Sequence, residues 1–426
     1  MDGTASAGED KAYVPYKTYE TLVGPTDAIN FLAFSPDGRF LAALGYEGAF
    51  AWDLRTVRTD GLAVPVPTPM QELGPPSAIG KAAWVNFKAE NKEFLIMGNL
   101  EGDITIWSLE YDEDSCQVLV ASGIHVGSRR TDPTSQVVAL TAERDTISQQ
   151  GQDARVACAS LDGNIIILQL TAKGEWRILL RLDGVALPTS KPYGLAFSRS
   201  TEDLIVFFNG NGGIRKYDLA GNMIWSKEGG PAMMASVVMV DDHRFLAHTG
   251  NDFALIQLDD LTILRKYAVG PKVVQWPKMV AVAEGGAIVV AGTDRGYAVV
   301  FDFLHGHILQ KLPLPNGLLV QPVAACVSGG RDIIAIAGSA RDEAATICVW
   351  RKDQALQAST VQSEVSTSKK TGHRQDWAHK VVGLLCAYVF LQLFPWPTSV
   401  LNWYDTVQRS FIQGRYYQEE AAAYLT

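Results

Sequence analysis

The chain has 426 residues, of which 47% are hydrophobic and 19% charged, the balance of a globular protein with a large core. Its net charge of −9 and pI near 5.4 count against a nucleic-acid binder, which usually carries a basic face. Five scattered cysteines, an odd number with no C-x-x-C, exclude a disulfide framework and a cysteine zinc site, so the expected state is reduced thiols.

The polar, acidic N-terminus (residues 1–11) has no apolar h-region and is expected to be disordered, with no cleavable signal peptide and the bulk of the chain in the cytosol or nucleus. Residues 16–22 (YKTYETL) alternate as an edge strand would. Residues 29–56 then read as three short strands with two tight turns: an apolar run ends in Ser35-Pro36-Asp37-Gly38, a second in Gly45-Tyr46-Glu47-Gly48, and a third closes on Trp52-Asp53. Pro and Asp suit early turn positions and Gly tolerates φ > 0, so each cluster reverses the chain.

The unit recurs. Segments ending in Trp52, Trp107, Leu168, Tyr217, Ile256, Phe301 and Trp350 each look like a third strand, at intervals mostly longer than the ~40–45 residues of one four-stranded blade. Each follows a hairpin signal such as Glu101-Gly102, Asp162-Gly163 or Asn211-Gly212, and each signal follows a continuous apolar run of the kind buried on both faces.

Between these runs lie insertions. Residues 61–76 are proline-rich and cannot be a central strand. Residues 110–116 (EYDEDSC) read as a solvated acidic turn, 121–135 with Arg129-Arg130 as a solvated loop, and 142–154 as a mobile polar loop within the third repeat.

On Trp52-Asp53, the SPDGR run at 35–39 and the Tyr217-Asp218 and Phe301-Asp302 variants, residues 12–353 resemble the WD40-repeat β-propeller family. The resemblance implies an all-β, seven-bladed propeller. The Gly-His pair that opens a family repeat is missing, so the His-containing buried hydrogen-bond tetrad is not expected. No fourth strand follows the last repeat, so residues 16–22 are expected to supply it and close the ring, and deleting residues 1–24 should destabilise all of it.

Residues 354–376 are Ser/Thr/Gln/Lys-rich and read as a flexible linker. Residues 377–404 are then a hydrophobic helix, and 405–426 a short polar tail. Residues 381–401 carry no charge across their length. A helix over 381–394 would be about 21 Å long, short of the ~30 Å hydrocarbon core, and Pro395 and Pro397 interrupt any extension. Basic Lys369, Lys370, Arg374 and Lys380 on one side and aromatic boundaries on both favour a single membrane span. Its expected lipid-facing and boundary residues are Val381, Leu384, Leu385, Val389, Phe390, Leu391, Leu393, Phe394, Trp396 and Trp403, with the propeller cytosolic. A helix docked on protein and an interfacial helix are the competing readings.

No catalytic constellation is present: no G-x-S-x-G, P-loop, H-E-x-x-H or EF-hand pattern occurs. No catalytic residue, cofactor or small-molecule substrate is expected. His305-Gly306-His307 offers two imidazoles, but with no third ligand close in sequence no metal site is assigned. What remains is a protein-binding face. By the resemblance it comprises the turns between second and third strands: Tyr46, Glu47, Asn99, Glu101, Asp162, Asn209, Asn211, Asn251, Asp252, Asp294, Arg295, Arg341 and Asp342. The set is mostly acidic or amide, which suits a basic peptide, although hairpins demand the same residues. The expected function is a non-catalytic interaction scaffold partnering proteins or peptides. Its layout resembles that of the exchange factor that starts COPII coat assembly, so a membrane-anchored small-GTPase regulator is one alternative, and a propeller enzyme another.

Overall fold

A computed structural model describes residues 13–55, 62–63, 78–112, 115–127, 133–185, 190–210, 213–274, 276–315, 319–341 and 343–352. The linker, the apolar segment at 381–401 and the polar tail fall outside this set. So do Asn211, Asp342, Arg129 and Arg130.

Alternating apolar runs and turn clusters fold into seven sheets, one per repeat, antiparallel but for one short strand added to blade 2. In blade 1 the strands Ile29–Phe34, Phe40–Gly45 and Gly48–Asp53 run from inner to third, and Leu62–Ala63 is the short outer strand. The third strands of blades 2 to 7 are Asp103–Asp112, Ile165–Leu170, Ile214–Tyr217, Phe253–Gln257, Tyr297–Asp302 and Ile347–Lys352. The hairpin chemistry is that of the sequence: Gly48, Gly102, Gly163 and Gly296 all take positive φ. At Gly102 (φ +89°) a Cβ would also collide with the Ser135 carbonyl oxygen.

The ring closes as the alternation at 16–22 implies. Tyr16–Leu22 pairs antiparallel with Ile347–Lys352, from Tyr16 opposite Lys352 to Leu22 opposite Ile347. Tyr16 and Leu22 are buried while Lys17, Thr18 and Tyr19 face out. Seven hydrophobic clusters follow, one in each junction between neighbouring blades. Trp107 and Trp52 are almost fully buried, in the junctions of blades 1 and 2 and of blades 7 and 1. Each such side chain contributes about 1.5–3 kcal/mol, so the ring is held by its radial joints.

Three insertions differ from expectation. Of the expected solvated loop at 121–135, residues 121–125 are strand, and Ile124, Val126 and Ser135 are buried. The acidic run at 110–116 is mostly ladder: Asp103–Asp112 pairs with Ser115–His125 up to Asp112 opposite Ser115. The loop at 142–154 is anchored. Thr146–Ile147 adds in parallel to Asn86 and Phe87 of blade 2's inner strand, and Ile147 enters the cluster between blades 2 and 3. Asn86 N–H donates to the Asp145 carbonyl at 2.8 Å, and Lys88 N–H to that of Ile147 at 2.9 Å. One buried isoleucine outweighs its polar neighbours.

Candidate interaction face

The turns between second and third strands, with the linkers between blades, share one face, here called upper. Most of its Asn and Asp side chains are spent on backbone. Asn99, only 8% exposed, accepts N–H bonds from Glu101 (3.0 Å) and Asp103 (2.7 Å). Asp162 accepts from the Ser160 hydroxyl and from Asn164 N–H. Asn209 accepts from Met234 N–H and Asp252 from Val269 N–H, each tying a turn to the linker that follows its blade. Glu101 is half-buried, and Asn251 and Arg295 are exposed.

At the closing joint the turn side chains reach across blades. The Arg341 guanidinium lies 3.6 Å from the Tyr46 ring centroid, with its Nε 3.3 Å from an Asp27 carboxylate oxygen. Glu47 accepts from the backbone N–H and hydroxyl of Thr26. In blade 2 a pair of the tetrad type forms without its Gly-His signature: His125 Nδ1 sits 3.0 Å from Asp103 Oδ1. Neither His125 Nε2 nor Trp107 Nε1 has a hydrogen-bond partner among the described residues, so the chain of bonds stops at His125.

Asp294 departs furthest from the reading of these turns as exposed. Its side chain is buried. Oδ2 accepts from Val273 N–H (2.8 Å) and Val274 N–H (3.1 Å) and lies 3.0 Å from Lys278 Nζ, while Oδ1 accepts from Gln321 Nε2 at 2.7 Å. Burial alone would raise this carboxyl, but the Gln321 and backbone donors and Lys278 hold it below the ordinary carboxylate range. His248 is buried in the same neighbourhood, and neither ring nitrogen has a hydrogen-bond partner among the described residues. Burial, and secondarily Lys278, lowers its pKa to about 4.

What Asp294 holds is the linker entering blade 6, which displays apolar groups. Val273 is 72% exposed, Val274 37% and Trp276 45%. Sequence reasoning missed these three. Their signal is an apolar V-V-Q-W run between Pro271 and Pro277 that fits no strand of the repeat. Exposed Lys272 and Arg295 flank it.

The inner strands also line an opening of about 410 Å³, where Thr141 and Asp145 carry the only polar side chains of a lining that includes Leu32, Trp84, Val238 and Val282. On the opposite, lower face, the group found missing beside His305 and His307 is present: Asp302, three residues ahead, places a carboxylate oxygen 2.8 Å from His305 Nδ1.

No protein-family model and no curated protein matches the chain. Among solved structures, the WD40 β-propeller domain of Doa1 superposes with a TM-score of 0.55 at 15% identity, over 80% of this chain and 99% of that one. With seven radial sheets, six of them four-stranded and that of blade 2 extended by Thr146–Ile147, and with an N-terminal strand closing the ring, this likeness shows the fold: residues 13–352 form a seven-bladed β-propeller with the fold of that WD40 domain.

Proposed function

We propose that the propeller is a non-catalytic interaction platform that takes a protein or peptide on its upper face, with the 273–276 loop as anchor. The observation that carries this reading is an exposed tryptophan beside two exposed valines on backbone fixed by a buried carboxylate. The backbone that Asp294 holds at Val273 and Val274 loses little entropy on association, and exposed aromatic residues such as Trp276 are the kind that dominate interface energetics. Asp294 is buried against Lys278, so the exposed charges that flank the anchor are those of Lys272 and Arg295. The complementary ligand has an apolar centre with acidic flanks, in place of the basic peptide that the turn composition suggests.

The test is proximity labelling with the full chain and with Trp276→Ala, followed by direct titration of each protein lost from the second set. Truncating a central anchor costs about 2 kcal/mol or more, roughly a 30-fold weaker Kd. Equal affinity for the variant would overturn the assignment.

Tethering to a membrane through 381–401, with the propeller cytosolic, is the second half of the proposal and rests on the apolar run and its basic and aromatic flanks. Among the described residues no helix is long and apolar enough to cross a membrane. Carbonate extraction should leave the full chain in the membrane pellet and release a chain ending at Asp376. Two soluble chains would remove this half.

A further inference from the structure

We propose that Asp302, His305 and His307 form a binding site for one divalent transition-metal ion of the zinc class, on the lower face of blade 6. Asp302 ends the third strand, and His305 and His307 lie in the turn that leads to the outer strand Ile308–Pro313. One donor atom from each of the three lies within 4.8 Å of the others. Donors bound to one tetrahedral ion at about 2.0–2.2 Å sit about 3.3–3.6 Å apart. The 2.8 Å hydrogen bond between His305 Nδ1 and Asp302 Oδ1 places the two donors about 0.5–0.8 Å closer than that, a gap that a small side-chain rotation opens. The His307 ring, stacked on His305 at 5.8 Å and exposed, needs only a side-chain rotation.

The backbone beneath is set. Asp302 N–H donates to the His307 carbonyl and Gly306 N–H to that of Asp302, both at 2.9 Å. Phe303 N–H donates to the Ala287 carbonyl at 3.0 Å, and its own carbonyl accepts from Tyr267 Oη and Arg265 Nη1. Gly306, at φ +73°, lets the turn lie against blade 5, where a Cβ would meet Arg265 Cδ at 3.2 Å. Binding thus requires little ordering of the chain.

Turn formation explains Asp302, which also accepts the His305 N–H, but neither imidazole. Two imidazoles and a carboxylate select Zn²⁺, Ni²⁺ or Cu²⁺ over Mg²⁺ or Ca²⁺, which prefer all-oxygen sites. Arg265 and Lys266 on the adjoining strand of blade 5 oppose a cation, and both histidines are exposed, so the expected affinity is micromolar. Three protein donors leave at least one coordination position open to water or to a donor from another molecule.

The experiment is competition for Zn²⁺ between the full chain and a chromogenic chelator at neutral pH. The wild-type chain should take up an equivalent of Zn²⁺ that a His305→Ala/His307→Ala variant binds at least 30-fold more weakly. Circular dichroism should show the variant folded, and His243→Ala, which removes an exposed histidine of blade 5 beside Asp259, should change nothing. Absence of competition below millimolar Zn²⁺, or equal binding by the folded double variant, would overturn the site.

Discussion

The hairpin opening the third strand of blade 1 and its counterpart in blade 6 hold the same place in the repeat and are used in opposite ways. In blade 1, Tyr46 and Glu47 point outward and meet Arg341 and Thr26 at the rim. In blade 6, Asp294 turns inward, is buried, and holds two linker amides and a lysine. The turn type fixes only the backbone. What the side chain does depends on the linker beside it: the short 23–28 segment satisfies its needs at the surface, whereas the long 268–279 segment has amides that must be met from within.

The rim joint can be broken from its own side. Deleting residues 1–24 removes the outer strand of blade 7 together with buried Tyr16 and Leu22, and should abolish the single cooperative unfolding transition seen by circular dichroism. Asp294→Ala attacks the inward turn. It strands the Lys278 ammonium and two N–H groups, and should cost about 3–5 kcal/mol in chemical denaturation. Adding Lys278→Met should return part of that loss. A smaller effect comes with pH. The His248 imidazole titrates near 4 in the folded chain, below the ordinary 6.5, so the unfolded chain binds more protons between those values. Stability should therefore fall as pH drops from 6.5 to 4, by about 3 kcal/mol, and His248→Phe should flatten the slope. Lys278, Lys272 and Asp294 act on this ring, so Asp294→Ala should depress its titration further. Least of all, Tyr46→Ala removes one exposed cation–π contact and should cost about 1 kcal/mol or less. A loss as large as that from Asp294→Ala would erase the distinction between the two turns.

The architecture was legible because hairpins and buried strands are local. Asn-Gly and Asp-Gly pairs announce φ > 0, and apolar runs between them announce sheets covered on both faces. The alternation at 16–22 was enough to place the closing strand. The face was legible as a set of turns but not as a surface. Whether Asp294 is outside or inside is decided by Lys278 and Gln321, 16 residues before and 27 after it, and no period links them. Ile147 was hidden by its polar neighbours, and Trp276 by lying in a linker that has no place in the repeat. Asp302 was overlooked as a ligand because the repeat had already given it a role, as the Asp of a Phe-Asp strand ending.

The pairing of the first strand with the last sets an order in time. Thr21 comes to rest beside Cys348, a partner 327 residues later in the chain. At ~5–20 residues per second, translation separates the two by roughly 20–60 s. For that interval the strand at 16–22 has no native partner, and when Ile347–Lys352 emerges it meets whichever copy of that strand is nearest. On a crowded polysome that copy can belong to the neighbouring nascent chain, a swap that would join the two chains.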